Sequence, residues 1–351
     1  MSNHKRSDHQ NKVTAIVLTY NHEHYIADCI RSIQAQNFPD LEILVLDDKS
    51  IDRTADVVRD ICASSRHVNL IVNQQNSGNP AVNTQKLIDA SASDYILFMS
   101  GDDLLAEDYS LHRIVTHLDT EPRADVVIPK LRFLLSGQAA SPPEIYDRNL
   151  LEGLRSSDPE TLCRLHLYRR VSRIFVQGCV IRRQTIEDMG GFDSGMIADD
   201  YAFVLRLLDH LRDRGNRFFF DENSSWHYRL HSNNIHRNPM RQFRSIIEVV
   251  SGLVPERYWQ NFAWDGVVFV DHEDLLQADR LSKAYLGDRN ARGLIDTTDR
   301  LAIRKARRRG DRTFLQTFAS CREHPWSLRL RARLAIARLY LKPGAGISTP
   351  S

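Results

Sequence analysis

Tyr95-Ile96-Leu97-Phe98-Met99-Ser100-Gly101-Asp102-Asp103 is the stretch that fixes the fold class. An unbroken apolar run of this length is a strand buried on both faces, as strands of a parallel sheet are. The Gly-Asp-Asp that follows is a tight turn. Its two carboxylates therefore leave the sheet at the carboxyl end of the strand with little freedom. Reading outward, Val13–Tyr20 is a second β-branched run that ends in Thr19-Tyr20-Asn21, and Leu41–Leu46 is a third that stops at Asp47-Asp48-Lys49-Ser50. Between them Ile26, Cys29, Ile30 and Ile33 share one helical face, closed by the turn Asn37–Pro39. Asp52 is placed to cap a helix carrying Val57, Val58 and Ile61. The unit repeats with Val68–Val72, a loop at Asn76–Pro80 and a helix to about Ala90. Strands alternating with helices at this spacing imply an α/β protein with a doubly wound, mostly parallel sheet. Such sheets bind ligands outside the carboxyl ends of their strands, at the point where the strand order reverses. The polar clusters all fall at strand ends of this kind.

Farther along, the pattern predicts a strand near Val126–Pro129 and an insertion or acceptor-side segment over Leu131–Phe175, with one helix around Glu160–Arg170. Gly190-Gly191 and Asp199-Asp200 then precede an amphipathic helix built on Phe203, Val204, Leu207, Leu208 and Leu211, and Arg217–Phe220 reads as a strand. Past Met240 the chain is mostly helical. The expected organisation is a flexible tail over 1–11, a catalytic domain over 12–238 and a basic helical C-terminal extension over 239–351.

Composition bounds the rest. A chain of 351 residues with 42% hydrophobic content buries one large core, or one core and an appendage, which excludes global disorder. No apolar run approaches the roughly 18–20 residues that cross a bilayer, and the polar Met1–Lys12 has no apolar core of a secretory signal. Five scattered cysteines without CxxC spacing argue against a disulfide framework or a thiolate zinc site, and fit a reducing cytosol. Arg300–Lys342 holds 13 Lys/Arg against two Asp/Glu, whereas the remainder carries a net −9, so the two regions should meet different partners.

Hard carboxylate ligands such as Asp102 and Asp103 suit Mg²⁺ or Mn²⁺ shared with a substrate diphosphate; a solvated turn or helix cap is the plainer alternative. Asp47-Asp48 can accept from a base or ribose hydroxyl, or can cap a helix. Thr19-Tyr20-Asn21 equally suits turn chemistry. Their common edge is the argument for a site.

Together these residues resemble the family-2 inverting glycosyltransferases of the GT-A fold. The resemblance rests on Thr14–Asn21, Glu42–Thr54, Asn76-Ser77-Gly78, Asp94–Asp103, and Gly190-Gly191-Phe192-Asp193 ahead of Ala198-Asp199-Asp200, and covers about residues 12–235. It implies a GT-A-like sheet and an enzyme that moves a sugar from a nucleoside-diphosphate donor, expected to be a UDP-sugar, to a hydroxyl. The acceptor is expected to be a glycan or a lipid-linked saccharide, as in bacterial surface polysaccharide synthesis. Thr19, Tyr20, Asn21, Asp47, Asp48, Asn76, Gly78, Lys86, Gly101 and Arg229 become candidate nucleotide-sugar contacts. Asp102, with Asp103 and His231, becomes the candidate site for Mn²⁺ or Mg²⁺. Asp200 takes the place of the general base, with Asp199 beside it. Two positions depart from the family pattern: Ser100 stands where an Asp is common, and Asp199 where a Glu is common.

Two rivals remain. A nucleotidyltransferase should carry a Gly-rich phosphate loop with a Lys or Arg after the first strand, and Thr19–Tyr25 offers none. A non-catalytic nucleotide-sugar-binding or scaffolding protein would bind donor without turnover. A dehydrogenase is excluded by the lack of GxGxxG after the first strand, and zinc at His236 by the lack of companions at ligand spacing. The segment from Trp326 to Lys342 alternates arginines with apolar residues, mostly leucines. It is read either as a helix lying on the inner face of the plasma membrane or as one docked on the catalytic domain. Nucleic acid is not an expected partner, because no recognition motif or stacking aromatics accompany the charge.

Overall fold

The computed structural model of the chain describes residues 12–135, 138–139, 148–168, 175–195, 199–231, 239–254, 256, 259, 269 and 271–340. The expected tail over 1–11, His236, most of Ser136–Pro143 and the side chain of Asp199 lie outside the described residues. The chain divides into two units, residues 1–166 with 173–234 and residues 167–172 with 235–351.

In the first unit, β1 (Val13–Thr19), β2 (Leu41–Asp47), β3 (Val68–Val72) and β4 (Tyr95–Ser100) pair in parallel in the order β3-β2-β1-β4. The helices α1 (Ile26–Gln34), α2 (Thr54–Ser64) and α3 (Pro80–Ala90) make the crossovers. The face expected of α1 is the one it buries: Ile26, Cys29, Ile30 and Ile33. They pack with Ala15, Val17, Ile43, Val45 and Leu97 in one core, so strand and helix periodicities meet in the same apolar layer. The chain winds from β1 outward through β2 to β3, then returns to β4 on the other side of β1. The reversal point therefore lies between the carboxyl ends of β1 and β4, where Thr19 and the Ser100–Asp103 turn emerge.

Beyond β4 the sheet is mixed. A three-residue strand, β8 (Val180–Arg182), runs antiparallel to β4 and also to β6 (Ala124–Leu135). β6 in turn pairs in parallel with β9 (Arg217–Leu230), and β5 (Leu104–Leu105) closes the edge antiparallel to β9. The short β7 (Gln138–Ala139) pairs only with β6. Two expectations change here. The strand foreseen at Val126–Pro129 continues to Leu135, so the segment read as an insertion from Leu131 begins inside the sheet. The strand foreseen at Arg217–Phe220 runs ten residues farther, across a bulge at Glu222–Ser224 where Pro129 pairs with Asp221 but Lys130 pairs with Ser225. That bulge is held from inside: Asp221, buried, accepts from Arg113 at 2.9 and 3.0 Å, from the Ser224 hydroxyl and from the Asn223 amide.

The remaining helices of this unit are α4 (Leu111–Thr120), α5 (Arg148–Arg155), α6 (Pro159–Tyr168), α7 (Arg183–Asp188) and α8 (Asp199–Arg214). α6 is the helix expected around Glu160, and α5 precedes it. Trp226 belongs to the core: it is 2% exposed and lies against Phe175. At Gly178, φ is +77° and a Cβ would come within 2.6 Å of the Trp226 ring, so only glycine lets the β8 approach pass under the indole.

The second unit is helical: α9 (Pro239–Leu253), α10 (His272–Arg309), α11 (Arg312–Ser320) and α12 (Trp326–Tyr340). Asp271 caps α10 by accepting from the Glu273 and Asp274 amides, and Asp311 caps α11 through the Phe314 amide. A left-handed Gly287 breaks α10 into two halves. Leu275, Leu294, Leu315, Phe318 and Leu328 form the buried side of this unit.

Candidate active site

The carboxyl ends of β1, β2 and β4 are tied to one another through the backbone. The Asp48 amide donates to the Thr19 carbonyl at 3.0 Å, and the Gly101 amide donates to the Leu18 carbonyl at 2.7 Å. Gly101 is required by proximity: a Cβ there would sit 2.7 Å from the Thr19 hydroxyl. The loops that follow β1 and β2 are knitted together next. Asn21 and Lys49 both hold positive φ, 57° and 62°. The Asn21 amide donates to the Ser50 hydroxyl, its side-chain oxygen accepts from the Ile51 amide, and the His22 amide donates to the Thr54 hydroxyl. Left-handed backbone at non-glycine residues costs free energy and persists where surrounding bonds over-determine it, commonly at functional sites.

The two acidic neighbours at the end of β2 differ in what they hold. Asp47, 1% exposed, accepts from the Ser50 amide and hydroxyl and so shapes the β2–α2 turn. Asp48 reaches the other way: one carboxylate oxygen accepts from Asn73 Nδ2 (2.6 Å) and the Ser77 amide (2.9 Å), the other from the Ser77 hydroxyl (3.0 Å) and the Gly78 amide (3.2 Å). A carboxylate has about four acceptor positions. All are engaged, so in this state Asp48 organises the Asn73–Gly78 loop. Burial alone would raise its carboxyl, but the bonds from the Ser77 amide, Asn73, Asn83 and the Ser77 hydroxyl hold it below the usual carboxylate range. The loop borders an open cleft of about 350 Å³ lined by Val72, Asn73, Gln74, Gln75, Ser77 and Lys86. Lys86 is exposed and donates to Asn73 Oδ1 at 3.2 Å, with Tyr20 and Asn76 also exposed on this edge.

At the end of β4, Asp102 and Asp103 go separate ways. Asp102 Oδ2 lies 2.9 Å from His231 Nε2 and 3.8 Å from His22 Nε2, and Oδ1 accepts from the Ser100 hydroxyl. Burial pushes this carboxyl up, but His231, His22 and Ser100 outweigh it and keep Asp102 below the ordinary range. Asp103 is fully enclosed: Oδ1 accepts from the Arg229 amide at 2.9 Å, Oδ2 is buried without a hydrogen-bond partner, and burial together with the adjacent Asp102 drives its carboxyl well above the ordinary range. Like charges this close cannot both ionise cheaply. The two carboxyls are therefore driven in opposite directions, Asp102 down and Asp103 up.

The far end of β9 completes the site. Arg229 Nε donates to the Asp102 carbonyl at 2.8 Å, its guanidinium stacks over Tyr25 at 4.9 Å, and it approaches Asp28 at 3.8 Å. Tyr25 also packs on the His231 ring, 4.9 Å between centroids. The donor atoms of His22, Asp102 and His231 all lie within 4.8 Å of one another. That set fits a divalent cation, and its two imidazoles suit Mn²⁺ better than Mg²⁺. His22, which no motif in the sequence singles out, stands in the cluster, while Asp103 stands behind it.

Asp200 opens α8, where it accepts from the Tyr201 amide, and burial raises its carboxyl above the ordinary value. Tyr228, half-buried on β9, is raised chiefly by burial and in smaller measure by Asp103, Asp102 and Asp200, which puts the three carboxyls within electrostatic reach of one hydroxyl. The connection before α8 is fixed by Gln85, whose side-chain oxygen accepts from the Phe192 amide, and by Arg206, which donates to the Gly191 carbonyl.

A doubly wound sheet with a nucleotide-sized cleft and a carboxylate–imidazole cluster at its reversal point is the architecture of GT-A-type glycosyltransferases. Residues 14–189 match the model of Glycosyl transferase family 2, and the chain belongs to that family. It is 29% identical over 123 residues to the poly(ribitol-phosphate) beta-glucosyltransferase of Bacillus spizizenii, covering 34% of this chain and 19% of that protein. It is 34% identical over 94 residues to the GalNAc(5)-diNAcBac-PP-undecaprenol beta-1,3-glucosyltransferase of Campylobacter jejuni, covering 27% of this chain and 30% of that one. The matches thus span under a third of either relative's length. In fold, S. aureus TarS 1–349 in complex with UDP-GlcNAc superposes with a TM-score of 0.54 at 17% identity, over 94% of this chain and 89% of that one. The mannosyltransferase PcManGT from Pyrobaculum calidifontis, in complex with GDP-Man and Mn²⁺, gives 0.51 at 17%, over 95% and 88%.

Because the Asp48 carboxyl is depressed in the folded protein, its stabilisation is present above the ordinary carboxylate value and lost as pH falls through the folded-state value. Asp48→Asn is expected to cost about 1–3 kcal/mol near neutral pH by leaving loop amides unpaired. Urea unfolding should show this gap closing as pH falls below about 4. A gap that is independent of pH would contradict the assignment.

Proposed function

We propose that this glycosyltransferase moves a sugar from a nucleoside-diphosphate donor, a UDP-sugar in the first instance, to a hydroxyl of a glycan or lipid-linked acceptor with inversion. The single observation that carries the reading is the convergence of His22, Asp102 and His231 beside Arg229 at the sheet's reversal point. The donor's nucleoside occupies the cleft beside the Asp48-held loop, near Thr19, Tyr20, Asn21, Asn76, Gly78 and Lys86. Gly101 lets the diphosphate approach the backbone, and the Arg229 guanidinium, fixed over Tyr25, faces its charge. A divalent cation bound at His22, Asp102 and His231 would neutralise negative charge growing on the departing nucleoside diphosphate. Asp103, enclosed behind them, holds the Arg229 backbone through its amide. Asp200 accepts the proton of the acceptor hydroxyl as that oxygen attacks the anomeric carbon, and Asp199 flanks it on the same helical turn. Support for a bacterial surface-polymer acceptor comes from the two glucosyltransferase relatives, and for a UDP-sugar from the UDP-GlcNAc complex of the TarS fold neighbour.

The helical unit adds a membrane contact to this reading. Among the described residues no helix is long and apolar enough to cross a membrane. α12 turns Leu328, Ala332 and Ala335 inward but leaves Trp326, Leu330 and Leu334 exposed at 68%, 39% and 53%. These three lie four residues apart on one stripe, with exposed Arg331 and Arg333 beside it. An anionic lipid surface matches both features, each arginine contributing about 1 kcal/mol. It would bring the enzyme to a lipid-linked acceptor.

Asp200→Asn should lower transfer by about 10²–10⁴-fold with donor affinity unchanged. In the unmodified enzyme kcat/KM should fall on the acid side with a midpoint above the ordinary carboxylate value of about 4, because a raised Asp200 must be ionised to act. Transfer measured across pH checks both, and a variant that keeps most of its activity removes Asp200 as the base. For the membrane contact, co-sedimentation should favour phosphatidylglycerol vesicles over phosphatidylcholine ones, and the double substitution Leu330→Asp with Leu334→Asp should abolish the preference. Equal binding to both lipids would contradict it.

A further inference from the structure

The helical unit contains a second cluster of metal-type donors, which the transfer reaction does not use. His324 follows α11 and is 1% exposed, with its ring stacked on Phe318 at 3.8 Å. Its Nδ1 lies 3.1 Å from a carboxylate oxygen of Asp299, which is 0% exposed. A buried carboxylate at that distance holds a proton on Nδ1, so Nε2 presents its lone pair. That lone pair faces Nε2 of His272, the first residue of α10, at 3.1 Å. The thiol of Cys321 completes the group, the three donor atoms all lying within 4.8 Å of one another.

We propose that His272 Nε2, His324 Nε2 and Cys321 Sγ bind a zinc ion that staples the start of α10 to the α11–α12 connection. Three features of the site point the same way. The two nitrogens stand near the separation of about 3.3 Å that two imidazole ligands take around a tetrahedral ion with Zn–N near 2.0–2.1 Å. A thiolate with two imidazoles is a soft donor set that selects zinc over magnesium or manganese. The buried carboxylate behind the His324 ring is the outer partner that orients a ligating histidine and sharpens its basicity.

The charge of the surroundings supplies an independent reason for a cation. Asp279, on the first half of α10, brings a carboxylate oxygen to 3.8 Å from the same His324 Nδ1. Asp279 and Asp299 each keep one buried oxygen with no hydrogen-bond partner among the described residues. Burial drives both carboxyls above the ordinary range, Asp279 to about 8, because ionising either one in this low-dielectric core is costly unless a positive charge offsets the cost. A dication on the opposite nitrogen of that ring compensates it. Binding takes the proton from the Cys321 thiol and releases it to solvent; the fourth position is left to water.

The test uses the full chain loaded with Co²⁺ in place of zinc, followed by absorption spectroscopy. The expected result is a thiolate-to-cobalt charge-transfer band and visible bands of a tetrahedral ion, at one equivalent per chain. Cys321→Ser and His272→Ala, at half-buried positions that tolerate substitution, should lose the thiolate band while keeping their circular dichroism. Asp299→Asn should weaken the metal about 10–100-fold, as loss of an outer carboxylate does. Asp102→Ala should keep the band, which separates this ion from any held at the nucleotide edge. A wild-type chain without the band, or a band that survives Cys321→Ser, would overturn the proposal and leave His272 and His324 as an ordinary buried hydrogen bond.

Discussion

The site depends on how two adjacent buried carboxylates share their charge. Asp102 and Asp103 leave β4 together, and in an apolar setting they cannot both be anionic. The structure resolves the conflict with β9, which returns to the end of β4 and there presents its own backbone and side chains. Enclosure and the neighbouring Asp102 drive the Asp103 carboxyl up against the opposing bond from the Arg229 amide, while His231, His22 and Ser100 hold Asp102 below the ordinary range. One turn of chain thus supplies one carboxyl that anchors β9 and one that faces two histidines. Without the long reach of β9 neither role would be defined.

The rest of the edge is rigidified to match. Left-handed Asn21 and Lys49 stand where hydrogen bonds join the β1–α1 and β2–α2 loops. Asp48 then recruits the Asn73–Gly78 loop into the same frame. Preorganisation of this kind orients groups before substrate arrives, which is where enzymes gain much of their electrostatic effect. Asp48, just past the end of β2, is saturated by these protein donors, so at the proposed nucleotide site it would act through the loop that it holds.

Much of this was legible in the sequence. The strands β1 to β4 are mostly apolar runs, α1 shows its buried face in the spacing of Ile26, Cys29, Ile30 and Ile33, and the strand-end polar clusters named the edge. The mixed half was not legible, for physical reasons. β8 has three residues and no period to detect. The middle of β9 reads Asp221-Glu222-Asn223-Ser224-Ser225, a turn-like run, and what keeps it in the strand is Arg113 from a distant helix, added to the local bonds that Asn223 and Ser224 make to Asp221. His22 carries no signal of its own in the sequence, because its partners, Asp102 and His231, lie 80 and more residues away. Cys321 was set aside with the other cysteines for lack of CxxC spacing; its companion His272 lies some fifty residues upstream and is brought near by the folding of the helices.

The most direct measurement of the central claim is electron spin-echo spectroscopy of the enzyme with Mn²⁺ and a nucleoside diphosphate. If Asp102 is held between His22 and His231 as a cation site, the bound Mn²⁺ shows coupling to two imidazole nitrogens, and each of His22→Ala and His231→Ala removes one. Bound Mn²⁺ with no nitrogen coupling would mean that the carboxylates act without the histidines, and would contradict the account.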